Sequence, residues 1–95
     1  MQLSSIRFLD VLFRLNRPLI VEVFSSNGTW TAIAGLLNIS ETGRDQVEAI
    51  NNLKRRFFLD WTSIIQDNDD KLNDAARELK KKMTDLVKTV IYGSN

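Results

Sequence analysis

The chain has 95 residues, of which 43% are hydrophobic and 26% charged, the proportions of one folded globular domain rather than of a disordered segment. Thirteen Lys and Arg against twelve Asp and Glu leave a net charge of +1, so no overall field attracts the protein to nucleic acid or anionic lipid. Without cysteine or histidine, the chain lacks the usual groups for disulfides, most zinc sites and acid–base catalysis near neutral pH. We therefore expect one small helical domain over residues 1–95 that is not an enzyme and uses no cofactor or metal.

The first predicted element is an N-terminal helix that begins at Ser4 or Ser5 and ends at about Leu15. Either serine can cap its first turn, and Pro18 is expected to stop it, because the residue before a proline avoids the helical region. Apolar residues cover most of its circumference, which predicts burial on more than one side. The residues that set the helical spacing are Ile6, Leu9, Leu12 and Phe13.

Residues 18–40 fit either a short β-hairpin or a helical segment. For the hairpin, residues 19–24 are largely β-branched and aromatic, and Asn27-Gly28 between β-prone runs is the strongest short hairpin signal. Both interpretations stay open, with strand character favoured at residues 19–24. The helical alternative, over residues 30–37, places four apolar residues on one face: Trp30, Ile33, Ala34 and Leu37.

Two long helices are predicted in the C-terminal half, over about residues 44–66 and 69–92. In the first, apolar residues recur every three or four positions, and four consecutive capping-type residues at 67–70 then interrupt the pattern. The short turn predicts that the two helices form an antiparallel hairpin, so the expected fold class is mainly α, a helical bundle. The second helix has the alternating four- and three-residue spacing of a coiled coil at Leu72, Ala76, Leu79, Met83, Leu86 and Val90.

Two basic triplets lie at equal distances from the predicted turn residue Asn68, with Arg56 and Lys80 each twelve residues from it. In an antiparallel hairpin the triplets would come level and form a band for phosphates or an acidic partner. The alternative is a solvated face whose long side chains cover apolar surface and pair with nearby carboxylates. The residues of this predicted basic band are Lys54, Arg55, Arg56, Lys80, Lys81 and Lys82.

Residues 29–53 also allow a helix-turn-helix, in which a DNA-reading helix starts near Ser40 and points Arg44 and Gln46 outward. The match is imperfect, because counting from Ala34 as the small residue of the motif puts the charged Arg44 where an apolar residue is required. A short helix and loop leading into the long helix accounts for the same residues. The motif is therefore kept as an alternative.

The function predicted from these features is a non-enzymatic protein-interaction or assembly module that self-associates, as a homodimer, through its amphipathic helices. The alternative is a nucleic-acid-binding regulator that places Arg44 and residues 54–56 on phosphates. Apolar stretches are too short to span a membrane and no signal peptide is recognised, so a cytoplasmic location is expected. The predicted core and self-association residues are Ile50, Leu53, Phe57, Trp61, Leu72, Leu79, Met83 and Leu86.

Overall fold

The computed structural model describes residues 1–93, which form six strands and two α-helices. The helices are α1 (Gln46–Ile64) and α2 (Asp74–Leu86), and two single-turn 3-10 helices lie at Gly35–Leu37 and Asp69–Lys71. The strands are β1 (Gln2–Phe8), β2 (Val11–Ile20), β3 (Glu22–Ser26), β4 (Thr29–Ala34), β5 (Ile39–Gly43) and β6 (Val87–Tyr92). Strands β1-β2-β6 form one antiparallel sheet, called sheet A, and β3-β4-β5 form a second, called sheet B.

The fold is α+β, so the predicted mainly α fold, with its helical bundle and helical hairpin, is wrong. The residues expected to form the N-terminal helix are the hairpin of β1 and β2. Their apolar positions fit a period of two as well as a helical period, since Val11, Phe13 and Leu15 all face the core side of β2. Pairing of β2 with the distant strand β6 selects the strand, a contact that helical periodicity in a local window does not reveal.

Pro18, expected to end a helix, instead lies in β2 where the pairing is interrupted. The register between β1 and β2 shifts between Leu3 and Ser5, and the pairing of β2 with β6 reaches no further than Leu15. A proline lacks the N–H that a ladder requires, so it is accommodated at such an irregularity.

The second correction concerns the C-terminal half. Helix α1 occupies most of the predicted 44–66 span, but the helix predicted over 69–92 begins at Asp74 and ends at Leu86, and β6 follows directly. The spacing of Leu86 and Val90 suggested a continuous coiled-coil seam. The last segment is nevertheless rich in β-branched and aromatic residues, and it completes sheet A beside β2.

Of the two alternatives for residues 18–40, the structure shows the β-hairpin. The segment comprises the end of β2, the strands β3 and β4, and a 3-10 turn after them. Asn27 and Gly28 form the two-residue turn with φ of +53° and +80°. Positive φ at both central residues is the signature of a type I′ turn, whose twist matches the flanking strands.

The helices and the two sheets share one core. Helix α1 packs against β4 and β5 of sheet B and also contacts β1, whereas α2 packs against β2 and β6 of sheet A. Within residues 1–93, neither α1 nor α2 could span a lipid bilayer. The buried residues are Ile6, Val11, Phe13, Leu19, Val21, Ala32, Ala34, Leu37, Ile39, Ala49, Leu53, Phe57, Met83 and Leu86.

Small residues let α1 lie close to sheet B. Ala32 and Ala49 are fully buried, and a Cβ added to Gly43 would lie 2.5 Å from the backbone nitrogen of Ala49. Helix α1 begins three residues after Gly43, and the side chain of its N-cap Asp45 accepts a hydrogen bond from the Glu48 N–H. The end of β5 and the start of α1 are therefore fixed against each other.

Candidate functional site

The six residues of the predicted basic band are dispersed rather than level. Lys54 is half-buried against the core, and Arg55 and Lys81 are exposed. Lys80 donates hydrogen bonds to the Asp69 carboxylate at 3.0 Å and to the Asp67 carbonyl at 2.9 Å, fastening α2 to the preceding loop. Arg56 and Lys82 are brought together, since both line a cleft of about 400 Å³ between α1, α2 and residues 37–39.

The cleft beside Arg56 is closely balanced in charge. The Arg56 guanidinium contacts Asp60 at 2.9 Å and Glu41 at 3.2 Å, and Lys82 lies 3.9 Å from Glu78. Burial lowers the pKa of Arg56, but the hydrogen bonds and negative charges of Asp60 and then Glu41 outweigh it, so that pKa is raised. These pairs leave little positive potential in the cleft for an anionic ligand, and the Arg56 cluster instead ties α1 to β5.

Arg44 and Gln46 lie at the start of α1, outside any helix-turn-helix. The 29–53 segment contains β4, β5 and the beginning of α1, so the first helix that the motif requires is replaced by a strand and a 3-10 turn. The exposed Arg44 side chain binds Glu48 at 3.1 and 3.2 Å. That hydrogen bond, more than any other contact, lowers the pKa of Glu48.

The residues predicted for core and self-association pack within one chain. Leu53, Phe57, Met83 and Leu86 are buried in the common core. Ile50, Trp61 and Leu79 are partly buried against that core, and Leu72 is half-buried beside the start of α2. Because neighbouring elements already cover most of their surface, little of it is left to meet a second chain.

The outer face of sheet B, the side away from α1, carries exposed apolar residues. Phe24 is 46% exposed on β3, and the adjacent groove of about 470 Å³ runs past the end of the sheet. Residues of the groove include Pro18 and Glu22. We call Ile20, Phe24, Ile33 and Leu36 the apolar patch.

The four sheet edges differ in how they are protected against pairing. The edges at β1 and β6 carry register irregularities, and Lys88 is the extra residue in β6. The edge at β5 is covered by α1, from which the Asn52 amide donates to the Thr42 carbonyl at 2.8 Å. Strand β3 has a regular register with β4 and, within residues 1–93, no strand on its other side. Bulges, lysines and covering elements are devices that block edge pairing, and residues 23–25 of β3 carry none of them. Directly before the strand, the Val21 backbone is paired with Met1 at 2.8 and 2.9 Å, so the open edge begins after that pair.

The outer face of sheet A has a different character. Arg7 and Leu12 are directly paired on it, as are Arg14 and Thr89, and the register places Ile91 beside Leu12. The bulge residue Lys88 lies next to Thr89. We call Arg7, Arg14 and Lys88, with the residues between them on this side, the cationic face.

Comparisons with protein families, curated proteins and solved structures gave no match. Candidate residues on both outer faces were missed from the sequence, because a face is assigned only once strands and register are known. An available signal was the alternation in β2, where Leu12 and Arg14 separate the core residues Val11, Phe13 and Leu15.

Proposed function

We propose that the protein is a non-enzymatic assembly module that forms a homodimer by pairing β3 of one copy with β3 of another. The observation that carries this proposal is the unprotected edge of β3, which bears the exposed Phe24 at its centre. An exposed edge strand is a template for pairing with another chain, because its outward N–H and C=O groups have no partner in the sheet.

The backbone of β3 has the right polarity for pairing with itself. The two-residue turn makes Ser26 and Thr29 a hydrogen-bonded pair, and hydrogen-bonded and non-bonded pairs alternate along an antiparallel ladder. Glu22 and Phe24 therefore direct their backbone groups toward β4. The N–H and C=O groups of Val23 and Ser25 point away from β4, toward the open edge.

One twofold register satisfies all of these outward groups. If the axis passes beside Phe24, Val23 of each copy pairs with Ser25 of the other, and four backbone hydrogen bonds form. Phe24 then faces Phe24 of the other copy as a non-bonded pair, in which Cα atoms are about 4.5 Å apart and side chains are close. An aromatic pair in this position contributes about 0.2–1 kcal/mol beyond an alanine pair.

The same register avoids a clash of like charges. Glu22 is the charged residue of β3, and the twofold axis places it opposite Ser26 of the other copy rather than opposite the second Glu22. Pairing would also join the two apolar patches into one continuous surface across a six-stranded sheet. Each of these features favours a second copy of the chain as the occupant of the edge.

The test is the mass of the protein by light scattering over a series of concentrations. We expect a rise from the 10.9 kDa monomer toward twice that mass. Phe24→Ser should shift the rise to higher protein concentration, and Ser25→Pro should remove it, because proline lacks an outward N–H while the bonds to β4 stay intact. Leu59→Ser is the matched control, because Leu59 on α1 is 44% exposed, close to the 46% of Phe24.

Two results would contradict the proposal. One is a monomer of 10.9 kDa at every concentration. The other is a dimer that persists in both β3 variants and dissociates with Leu59→Ser, which would move the interface to α1. Circular dichroism of each variant separates loss of pairing from loss of folding.

A further inference from the structure

The cationic face of sheet A carries positive side chains and, within residues 1–93, no carboxylate at its outward strand positions. Its outward paired positions on β1, β2 and β6 are Ser5, Arg7, Leu12, Arg14, Thr89 and Ile91, and the unpaired bulge residue Lys88 is exposed beside Thr89. Within residues 1–93, Arg7, Arg14 and Lys88 make no ion pair, whereas Arg17, Arg56 and Lys80 are all paired with carboxylates. Other cations of residues 1–93 without an ion pair lie on α1, α2 and the loop between them, but Arg7, Arg14 and Lys88 share one side of one sheet.

Exposed apolar side chains lie at one end of this face. Leu9 forms the tip of the turn between β1 and β2, is 74% exposed, and has a φ of +55°. Ile91 and Tyr92 at the end of β6 are exposed nearby, since β6 pairs there with Leu12 and Val11. An apolar residue at positive φ is uncommon, because Asn and Gly fit that conformation better. The tip therefore keeps a leucine where turn chemistry alone would favour a polar residue.

We propose that this end of sheet A docks on an anionic lipid surface, with the Leu9 tip in the headgroup region and the cations of the face against the phosphates. The order of these residues along the sheet fits the boundary between lipid and water. Leu9 comes first, the row of Arg7, Leu12 and Ile91 follows, and Arg14 with Lys88 lies furthest from the tip. Apolar side chains enter the interface while Lys and Arg reach the anionic headgroups.

Lipid accounts for this surface better than nucleic acid does. Single-stranded nucleic acids are usually held by several aromatic rings that stack on successive bases. The outward positions of sheet A hold none, and Tyr92, exposed at the end of β6, supplies a single ring. A phosphate backbone would engage Arg7, Arg14 and Lys88 but leave Leu9 and Ile91 in water.

The experiment is co-sedimentation of the full chain with sucrose-loaded vesicles, either pure phosphatidylcholine or equal parts phosphatidylcholine and phosphatidylserine. We expect sedimentation with the second composition alone, and less of it as salt is raised. The triple change Arg7→Gln, Arg14→Gln and Lys88→Gln should weaken binding on the order of a hundred-fold, about five-fold for each cation. The control triple Arg55→Gln, Lys71→Gln and Lys81→Gln, at exposed cations with no ion pair within residues 1–93, makes the same charge change and should retain binding.

A second pair of variants tests the apolar tip. Leu9→Asn should weaken vesicle binding without harming the fold, since Asn tolerates positive φ. Val47→Asn is its control, because Val47 is 67% exposed at the start of α1, away from sheet A.

Three outcomes would overturn the proposal. The first is no sedimentation of the unchanged protein with the anionic vesicles. The second is an equal loss of vesicle binding in the two triple variants, which would show that binding depends on total charge rather than on this face. The third is binding of labelled duplex DNA, lost in the Arg7, Arg14 and Lys88 variant, without vesicle binding. Dimerisation through β3 involves a different sheet, so this test is independent of the proposed function.

Discussion

Sheets A and B each have three antiparallel strands, but the chain builds them in different ways. Sheet B is a meander of residues 22–43, in which each strand pairs with its neighbour in sequence. Sheet A begins as a hairpin and is completed by residues 87–92, which follow both helices in the sequence. Sheet B therefore depends on local turns, whereas sheet A depends on a contact between the two ends of the described chain.

The two sheets also differ in the chemistry of their outer faces and in the regularity of their edges. Sheet A presents unpaired cations and has irregular edges, whereas sheet B presents an apolar patch beside the regular edge of β3. The lesson is that one small core can carry two outer surfaces of different chemistry. We propose an anionic lipid surface as the partner of the first and a second copy of the chain as the partner of the second.

The largest effect is expected at the core that the two sheets share. Phe13 of sheet A is fully buried, with its ring centroid 5.0 Å from that of Phe57 and 5.4 Å from that of Trp61. Phe13→Ala should lower the free energy of unfolding by about 3–5 kcal/mol, through lost burial and the cavity left behind. Phe24→Ala, on the outer face of sheet B, should change the free energy of unfolding of the monomer by less than about 0.5 kcal/mol. Urea denaturation of both variants at low protein concentration checks the difference; similar losses would contradict the assigned faces.

A smaller effect is expected where sheet B meets α1. A Cβ at Gly43 would lie 2.5 Å from the Ala49 nitrogen and 2.9 Å from the Glu48 backbone, so Gly43→Ala must push the strand and helix apart. We expect the free energy of unfolding to fall by about 1–3 kcal/mol, the usual range when a side chain is forced into a packed contact. Gly35→Ala is the matched control, because a Cβ there meets nothing within 4 Å and its φ is not positive. A stable Gly43→Ala protein with an unchanged thermal midpoint would show that the contact is looser than described.

The smallest effects come from exchanging the turn residues of the two sheets. Leu9 in sheet A and Asn27 in sheet B both have a positive φ, of +55° and +53°. For a non-glycine residue without a polar group for local hydrogen bonds, this conformation lowers the stability of the fold by about 1–2 kcal/mol. Asn27→Leu should therefore lower the thermal midpoint, and Leu9→Asn should raise it. Opposite shifts would mean that packing of these side chains outweighs their backbone preference.

The elements that could be predicted from the sequence are those set by local chemistry. Helix α1 has a long periodic apolar stripe and the capping residue Asp45, and the β3–β4 turn has Asn27-Gly28, which was one of two open alternatives. Sheet A was missed because the apolar residues of β1 and β2 satisfy both periods. Only pairing of Phe13 with Val90, far along the chain, decides between them.

The candidate surfaces were harder to predict than the elements. The basic band was deduced from a helical hairpin that does not form, and its residues Arg56, Lys80 and Lys82 face carboxylates instead. Phe24 and Arg14 become recognisable as surface residues only when strand register is known, since a shift of one residue would turn them inward.

The most direct test of the central claim, twofold pairing of β3, is a charge exchange at Phe24. The proposed axis places this residue opposite its own copy, so Phe24→Lys and Phe24→Glu should each be monomeric, because like charges would face each other. An equimolar mixture of the two should form a heterodimer of about twice 10.9 kDa by analytical ultracentrifugation, and raised salt should weaken it. A mixture that stays monomeric under conditions in which the unchanged protein is dimeric would contradict this register. An unchanged protein that is monomeric at every concentration would contradict the proposed function itself.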